Sequence, residues 1–335
     1  MFAKKPKIKI GLDIGSYSIK IVKLLEEKGS YRLTGIGEIR PKETSEKGMA
    51  EAIKELAKKA KLATKGVCLS VSGTNVIVRF ITIPKMKESD IRNALQFEAE
   101  KYIPFNIKDV LIEYQVLNSQ DQGRKLDLVL ACVKKDYVMK RISMAQSAEL
   151  VAETVDVDSF ALANSFMRNF PDKERSSAIA LVNLGASATN VLIIDGNTLR
   201  FARDLQIGGK TIDEEISKNM NVALEEAEGL KLQPKDRQAE VIDCVNNTLM
   251  NLFGEMRLSL GYFDNQFGKA VSEIYLSGGA AKFPGVDKLF EENMGVKAEV
   301  WDPVKFLEVD EKALDRKELA RLGSSVAVAV GLALR

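Results

Sequence analysis

Two stretches of this chain have the residue types to hold a polyphosphate. Residues Ile10-Gly-Leu-Asp-Ile-Gly-Ser-Tyr-Ser-Ile19 end an apolar run in Asp13, turn at Gly15, offer Ser16 and Tyr17, and lead to Lys20 on the strand that leaves the turn. A glycine hairpin lets backbone N–H groups approach phosphate oxygens with no Cβ in the way. The hydroxyl of Ser16 adds a donor, the ammonium of Lys20 can neutralise charge, and Asp13 can hold Mg²⁺ through water. Residues Ala180-Leu-Val-Asn-Leu-Gly-Ala-Ser-Ala-Thr189 repeat the order, with Asn183, Gly185 and Ala186 at the matching places. One such turn alone is more readily an ordinary hairpin. Its repetition implies two related lobes that face each other across a cleft and clamp a triphosphate.

Two further glycine pairs extend the pattern. Gly278-Gly279 follows the buried strand Ile274–Leu276, where a turn can approach a base or ribose closely. Gly208-Gly209-Lys210 precedes a Thr-initiated helix and should leave free N–H groups near a phosphate or ribose. It is not a Walker A loop, because no Gly sits at the required earlier spacing.

The rest of the composition excludes other chemistries. There is no histidine, which removes the usual zinc ligand and every Ser-His or Cys-His nucleophile arrangement. Cys68, Cys132 and Cys244 are far apart, lie among apolar neighbours and read as buried packing residues in a reducing compartment. A net charge of +2 gives no general case for nucleic acid. Lys4–Lys9 and Lys58–Lys65 are basic, but acidic residues are interleaved elsewhere. Met1–Pro6 lacks the apolar core of a signal peptide. No run reaches the ~18 apolar residues of a membrane span. At 335 residues the chain should divide into at least two lobes.

The elements that must position these residues follow from periodicity. Ile8–Asp13, Ser18–Leu25 and Tyr31–Arg40 read as a β-meander, and Gly48–Leu62 as a helix. Val67–Ser72, Val76–Pro84, the helix Lys87–Tyr102, Val110–Leu117, Lys125–Lys134 and the helix Asp136–Glu149 read as a self-contained β-β-α-β-β-α unit. Asn118–Arg124 is a polar turn. Leu150–Asp156 is a strand, Ser159–Phe170 a helix, and Pro171–Ser177 a boundary. The meander returns as Ala178–Asn183, Thr189–Asp195 and Leu199–Leu205. Helical stretches Gly209–Glu228 and Ala239–Phe267 follow.

These motifs resemble the actin, heat-shock-70 and hexokinase superfamily over nearly the whole chain. Gly11–Lys20 looks like its first phosphate loop, Val182–Thr189 like its second, and Ser277-Gly-Gly like its adenosine motif. Glu153–Asn164 and Ser324–Leu334 look like its two connecting helices. Within it the chain resembles the PilM family of type IV pilus machines, and next the FtsA family. Phe97-Glu-Ala-Glu-Lys-Tyr-Ile-Pro-Phe, Val155-Asp-Val-Asp-Ser-Phe-Ala-Leu-Ala-Asn and Glu255-Met-Arg-Leu-Ser-Leu-Gly-Tyr-Phe carry that likeness. The resemblance implies an α/β, actin-like, ribonuclease H-like duplicated fold with an inserted α+β subdomain 1C. Subdomain 1A would cover 1–64, 150–175 and 324–335, with 1C over 65–149. Subdomain 2A would cover 176–210 and 261–323, with 2B over 211–260.

The same resemblance implies an ATP- and Mg²⁺-binding adaptor at the inner membrane, cytoplasmic and held there through a protein partner. That partner is the cytoplasmic N-terminal peptide of a PilN-like membrane protein, taken in a groove between 1A and 1C, with a link to the assembly motor ATPase. Arg92, Gln96, Ile103, Pro104 and Phe105 are the candidate peptide contacts, with plain core packing the equal alternative for Ile103 and Phe105. Glu255 and Ser259, one helical turn apart, would flank the nucleoside. Asp158 is the candidate to polarise water, the alternative being that it simply caps the helix it begins. Asn183 stands where many relatives carry Asp, so slow or absent hydrolysis is expected. A small-molecule kinase and an FtsA-type filament protein are the competing readings. Against the second, the chain stops at Arg335 with no amphipathic tether after it. A homo-oligomer stays open.

Overall fold

The structure, a computed structural model, describes residues 6–62, 64–120, 124–170 and 177–335. The boundary expected at Pro171–Ser177 lies outside these residues save for Ser177, as do residues 1–5 of the N-terminal stretch and residues 121–123 of the expected turn.

Lobe 1 is built on β1 (Lys7–Ile14), β2 (Ile19–Glu27) and β3 (Ser30–Ile39), the expected meander. Its sheet is completed by β4 (Gly66–Val71), β8 (Val151–Val157) and β14 (Glu308–Val309), in the order β14-β3-β2-β1-β4-β8. Helices α1 (Glu46–Lys59) and α3 (Lys135–Ser147) cover one face. On the other lie α4 (Asp158–Asn169) and α10 (Ala327–Ala333). Lobe 2 repeats the plan with β9 (Ala178–Leu184), β10 (Thr189–Asp195), β11 (Thr198–Leu205), β12 (Val271–Ser277) and β13 (Lys297–Val300), in the order β11-β10-β9-β12-β13. Its helices are α5 (Gly209–Met220), α6 (Leu224–Leu232), α7 (Gln238–Phe267) and α8 (Val286–Met294), and α9 (Arg316–Leu322) leads back to lobe 1. β9 is apolar on both faces because helices cover both faces of its sheet: Ala180 and Val182 pack on one side, Ile179 and Leu181 on the other.

The inserted unit is smaller than expected. β4 pairs in parallel with β1 and β8, so it belongs to lobe 1. Ala145 and Ala148, at the end of α3, share the lobe 1 core with Ile53 of α1. What projects is a three-stranded sheet, β5 (Val76–Pro84), β7 (Lys125–Lys134) and β6 (Val110–Gln120), backed by α2 (Glu88–Glu100). A buried strand has the same local pattern in either sheet; the turn at Gly73 (φ +75°) sends the chain from one to the other.

Other boundaries move for physical reasons. The helix expected over Gly209–Glu228 breaks at Asn221, whose left-handed conformation (φ 52°) caps α5. The 210/211 and 260/261 boundaries fall inside α5 and α7, whose apolar faces continue through them. The first connecting helix starts at Asp158, not Glu153, because β8 runs to Val157. β13, β14 and α9 went unread. The two connecting helices cross very closely. A Cβ on Gly331 would stand 1.8 Å from the Ala161 carbonyl oxygen, and one on Gly11 2.1 Å from that of Ala329. Only glycine permits these contacts.

Candidate functional site

The hairpins β1–β2 and β9–β10 point their turns at each other and touch. Ser187 Oγ donates to Ser16 Oγ at 2.9 Å. The backbones match: Gly15 N donates to Ser18 O at 3.2 Å, and Gly185 N to Ala188 O at 3.0 Å. A Cβ at Gly15 or Gly185 would meet that same carbonyl at 2.8 or 2.6 Å, so each turn closes this tightly only with glycine.

Lobe 1 supplies the charge. Asp13 and Lys20 are directly opposite on β1 and β2, with Nζ 3.9 Å from Oδ2. Ser70 at the end of β4 donates to Asp13 Oδ1 at 2.9 Å. Ser18 donates to Glu38 of β3 at 2.7 Å, and Glu38 also pairs with Arg321 of α9 at 3.2 Å. Burial disfavours the Glu38 carboxylate, but the Ser18 bond and the charges of Lys20, Lys282 and Arg321 outweigh it and hold its pKa below the usual value.

Lobe 2 supplies amides. Asn183 and Asn190 hold the positions of Asp13 and Lys20, and Asn183 Nδ2 donates to Asn190 Oδ1 at 2.9 Å. Asn190 Nδ2 in turn donates to Asp158 Oδ2 at 3.0 Å and to Asp204 Oδ1 at 2.8 Å. Asp158 is therefore turned toward Asn190 and the β11 carboxylate. Burial, then the charges of Asp204 and Asp13, push its pKa well above the usual carboxylate range. Burial also raises that of Asp204. The Asp158 side chain does not cap α4 across its first turn; Oδ1 accepts only from the adjacent Ser159 N, at 2.7 Å.

The segment Gly208-Gly209-Lys210 has a different role from the one expected. The amides of Gly209 and Lys210 are not free: they donate to Gly185 O at 2.9 Å and Ala186 O at 2.8 Å. This braces the lobe 2 hairpin from behind. Gly208 allows the approach, since its Cβ would stand 2.6 Å from Ala186 O. The turn at Gly278 (φ +96°) is similarly anchored. Its amide donates to Ser324 O at 3.0 Å, while Ser277 donates to Asn183 Oδ1 at 3.3 Å. Gly279, beside it, is free of crowding. Just beyond, Lys282 donates to Arg321 O at 2.7 Å, and burial lowers its pKa.

Two residues of α6 complete the cleft and were missed in the sequence. Lys231 is buried, 2.5 Å from Asp213 Oδ1, and donates to Gly209 O at 3.1 Å. The available signal was a lysine at i+4 from Ala227 on the buried face of a short helix. Glu228 accepts from Tyr17 Oη and pairs with Arg40 at 3.3 Å, while Arg40 lies 4.3 Å over the Tyr17 ring. These contacts join the first hairpin to lobe 2 at a second point.

Glu255 and Ser259 are not brought to the hairpins. Arg203 of edge strand β11 bonds both, at 2.7 Å and 3.3 Å. Facing along β11 puts Arg203 with Phe201 toward α7, and Asp204 on the opposite side.

The five expected peptide contacts are also displaced from the groove. Ile103 and Phe105 belong to the core between α2 and the small sheet, together with Leu128, Leu130 and Cys132 of β7. Arg92, Gln96 and Pro104 are exposed on that α2 side. The groove opens on the other face of the sheet, lined by Val129, Ala131 and Val133. Val155, Asp156 and Val157 of β8, with Phe160 and Met167 of α4, form its second wall, and it encloses about 590 Å³. β8 ends its sheet, so one edge of that strand is unpaired by any other strand among the described residues. The three cysteines are buried and free. Burial, and for Cys68 the charge of Asp156, push the Cys68 thiol up to about 12, and burial pushes Cys132 up to about 11. These are unreactive packing residues.

A family model described as type IV pilus assembly protein PilM matches residues 11–335. The solved PilM-PilN type IV pilus biogenesis complex contains a chain that is 28% identical and superposes with a TM-score of 0.88, covering 98% of both chains. The cell division protein FtsA of Enterococcus hirae is 20% identical over 347 residues, 88% of this chain and 78% of that protein. MreB5 of Spiroplasma citri, solved bound to ADP, shares the fold at 11% identity with a TM-score of 0.52, covering 96% of this chain and 94% of that one.

Proposed function

The chain belongs to the type IV pilus assembly protein PilM family, and on that premise we propose that it is a nucleotide-binding, actin-like adaptor of a pilus or related secretion machine. ATP is held between the two hairpins, and a peptide of a PilN-like membrane protein lies in the groove between lobe 1 and the small sheet. The observation that carries the reading is the meeting of two glycine hairpins of matching register, one with a lysine and an aspartate across it. Lys20 and Ser16 would meet phosphate oxygens. Mg²⁺ would lean on Asp13 through water and otherwise on the phosphates, since among the described residues no three side chains form a metal cage. Glu228 and Lys231, not Glu255 and Ser259, stand where a nucleoside would pass. With amides at 183 and 190, and with Asp158 turned onto Asn190 by a hydrogen bond, the lobe 2 hairpin itself carries no carboxylate to take a proton from water. Nucleotide then acts as a structural ligand, and turnover is slow or absent.

The groove suits an extended apolar segment. Its floor is β7, and the free edge of β8 can add a strand by main-chain hydrogen bonds. None of the described helices is long and apolar enough to cross a membrane, so a bound membrane protein would tether the adaptor at the cytoplasmic face and connect it to the motor. Calorimetry with Mg-ATP, and with a synthetic peptide of the PilN-like protein's cytoplasmic N-terminus, tests both halves. Ala131→Arg should abolish peptide binding and leave ATP binding intact. Peptide binding that survives this block would remove the groove from the proposal.

A further inference from the structure

Helix α6 reaches both hairpins and holds them unequally. Its Lys231 end is fixed. Lys231 Nζ lies 2.5 Å from Asp213 Oδ1 of α5 and donates to Gly209 O at 3.1 Å. The amide of Gly209 in turn donates to Gly185 O, in the turn of the lobe 2 hairpin, at 2.9 Å. The Lys231 and Asp213 side chains are only 7% and 12% exposed. Separating such a pair would strand two charges away from water, so this end stays joined.

One turn earlier on α6, Glu228 meets the other hairpin. Tyr17 Oη, from the turn after Gly15, donates to Glu228 Oε1. Arg40, just past the end of β3, donates to Tyr17 Oη at 2.7 Å and to Glu228 Oε2 at 3.3 Å. Its guanidinium lies 4.3 Å over the Tyr17 ring. Burial, then the hydrogen bond to Glu228 and its charge, push the Tyr17 phenol well above its usual value, so it remains a donor. This end stands at the rim. The Glu228 and Arg40 side chains are 30% and 59% exposed, and an ion pair in that setting is weak and opens readily.

We propose that Tyr17, Arg40 and Glu228 are a latch across the mouth of the cleft, which sets how fast nucleotide is exchanged. α6 is hinged on the lobe 2 hairpin at Lys231 and is released from the lobe 1 hairpin at Glu228. A nucleotide held between the two turns lies behind that contact, so the latch opens both to admit it and to let it go. The latch forms between protein groups alone. It therefore slows entry and exit alike and leaves their ratio, the affinity, nearly unchanged. This rests on the reading of the cleft given above.

The test uses the full chain and ethenoadenosine triphosphate with Mg²⁺, whose fluorescent group is on the base. Stopped-flow mixing gives the association rate, and a chase with excess unlabelled ATP gives the dissociation rate. Arg40→Gln removes the guanidinium from both of its partners. Both rate constants should rise roughly 5-fold, the equivalent of about 1 kcal/mol, while the Kd stays near that of the parent protein. The sign is diagnostic, because losing a cation that merely steers a polyanion would slow association. Tyr17→Phe removes the hydroxyl between Arg40 and Glu228 and should also speed both steps. Rates equal to the parent's in both variants, with the analogue bound, overturn the latch and leave the cleft standing. Slower association, or faster dissociation alone, in Arg40→Gln shows Arg40 acting on the nucleotide itself and likewise overturns the latch. An analogue that fails to bind the parent protein removes the cleft reading, and the latch with it.

Discussion

The hairpins at Gly15 and Gly185 share one backbone and differ in what crosses it. Asp13 and Lys20 put a charge pair across the first, at the surface of the cleft. Asn183 and Asn190 put an amide ladder across the second, and that ladder continues inward to the buried Asp158 and the half-buried Asp204. The first hairpin is braced by side chains, Ser70 and Ser18 with Glu38. The second is braced by backbone, through Gly209 and Lys210. A cleft needs one wall that attracts a polyanion and one that stays in place while it does so. The duplicated motif has divided those tasks: charge on one side, wiring to the rest of the molecule on the other.

The comparison is broken most directly by exchanging effects between counterparts. Asn190→Ala leaves the buried Asp158 without its side-chain donor, at about 1–3 kcal/mol, and removes the donor to the half-buried Asp204 as well. It should therefore lower stability to urea more than any other change here. Lys20→Ala should leave the urea midpoint near that of the parent protein and weaken ATP binding by about 1–3 kcal/mol, read by calorimetry. If Lys20→Ala unfolds the protein and Asn190→Ala merely loses ATP, the division is inverted.

The backbone brace gives the next effect in size. Gly208→Ala forces a methyl to 2.6 Å from Ala186 O. Overpacking of this kind costs about 1–3 kcal/mol. A lower melting temperature with weaker ATP binding is the expected result. Gly279→Ala, where no atom lies within 4 Å of the added carbon, is the control and should melt like the parent.

The smallest effect is a pH slope. Asp158 and Asp204 bind their protons more tightly folded than unfolded. Their contribution to stability is therefore largest below about pH 4 and declines as pH rises from there through the folded values. Asp204→Asn removes one such group and relieves the other, so the falling component should shrink. Urea titrations at pH 5, 6, 7 and 8 measure it, and the difference between parent and variant should not exceed about 1.4 kcal/mol per pH unit for each group. A variant whose profile runs parallel to the parent's would show that the pair takes no part.

The residues of the first hairpin were legible because one turn of chain holds Asp13, Gly15, Ser16 and Lys20 together, and the repeat at Asn183 announced a second lobe. The two meanders, α1, and the apolar strands of both sheets were legible for the same reason: their periodicity is local. Which sheet β4 joins was not, because a strand buried on both faces carries no mark of its neighbours. The two faces of the small sheet were indistinguishable on similar grounds. Along β7 the residues facing α2 (Leu128, Leu130 and Cys132) and those facing the groove (Val129, Ala131 and Val133) are all apolar, so alternation does not tell one face from the other.

By itself, then, the sequence determined the duplication, the two glycine turns and the chemistry available at the first. Tertiary structure alone decided that Lys231 meets Gly209 and Glu228 meets Tyr17 while Glu255 pairs with Arg203, that Gly209 and Lys210 brace a hairpin, and that Asn190 joins Asp158 to Asp204. Each of those contacts unites residues far apart in the chain. Their partners are selected by burial and packing, which no local spacing records.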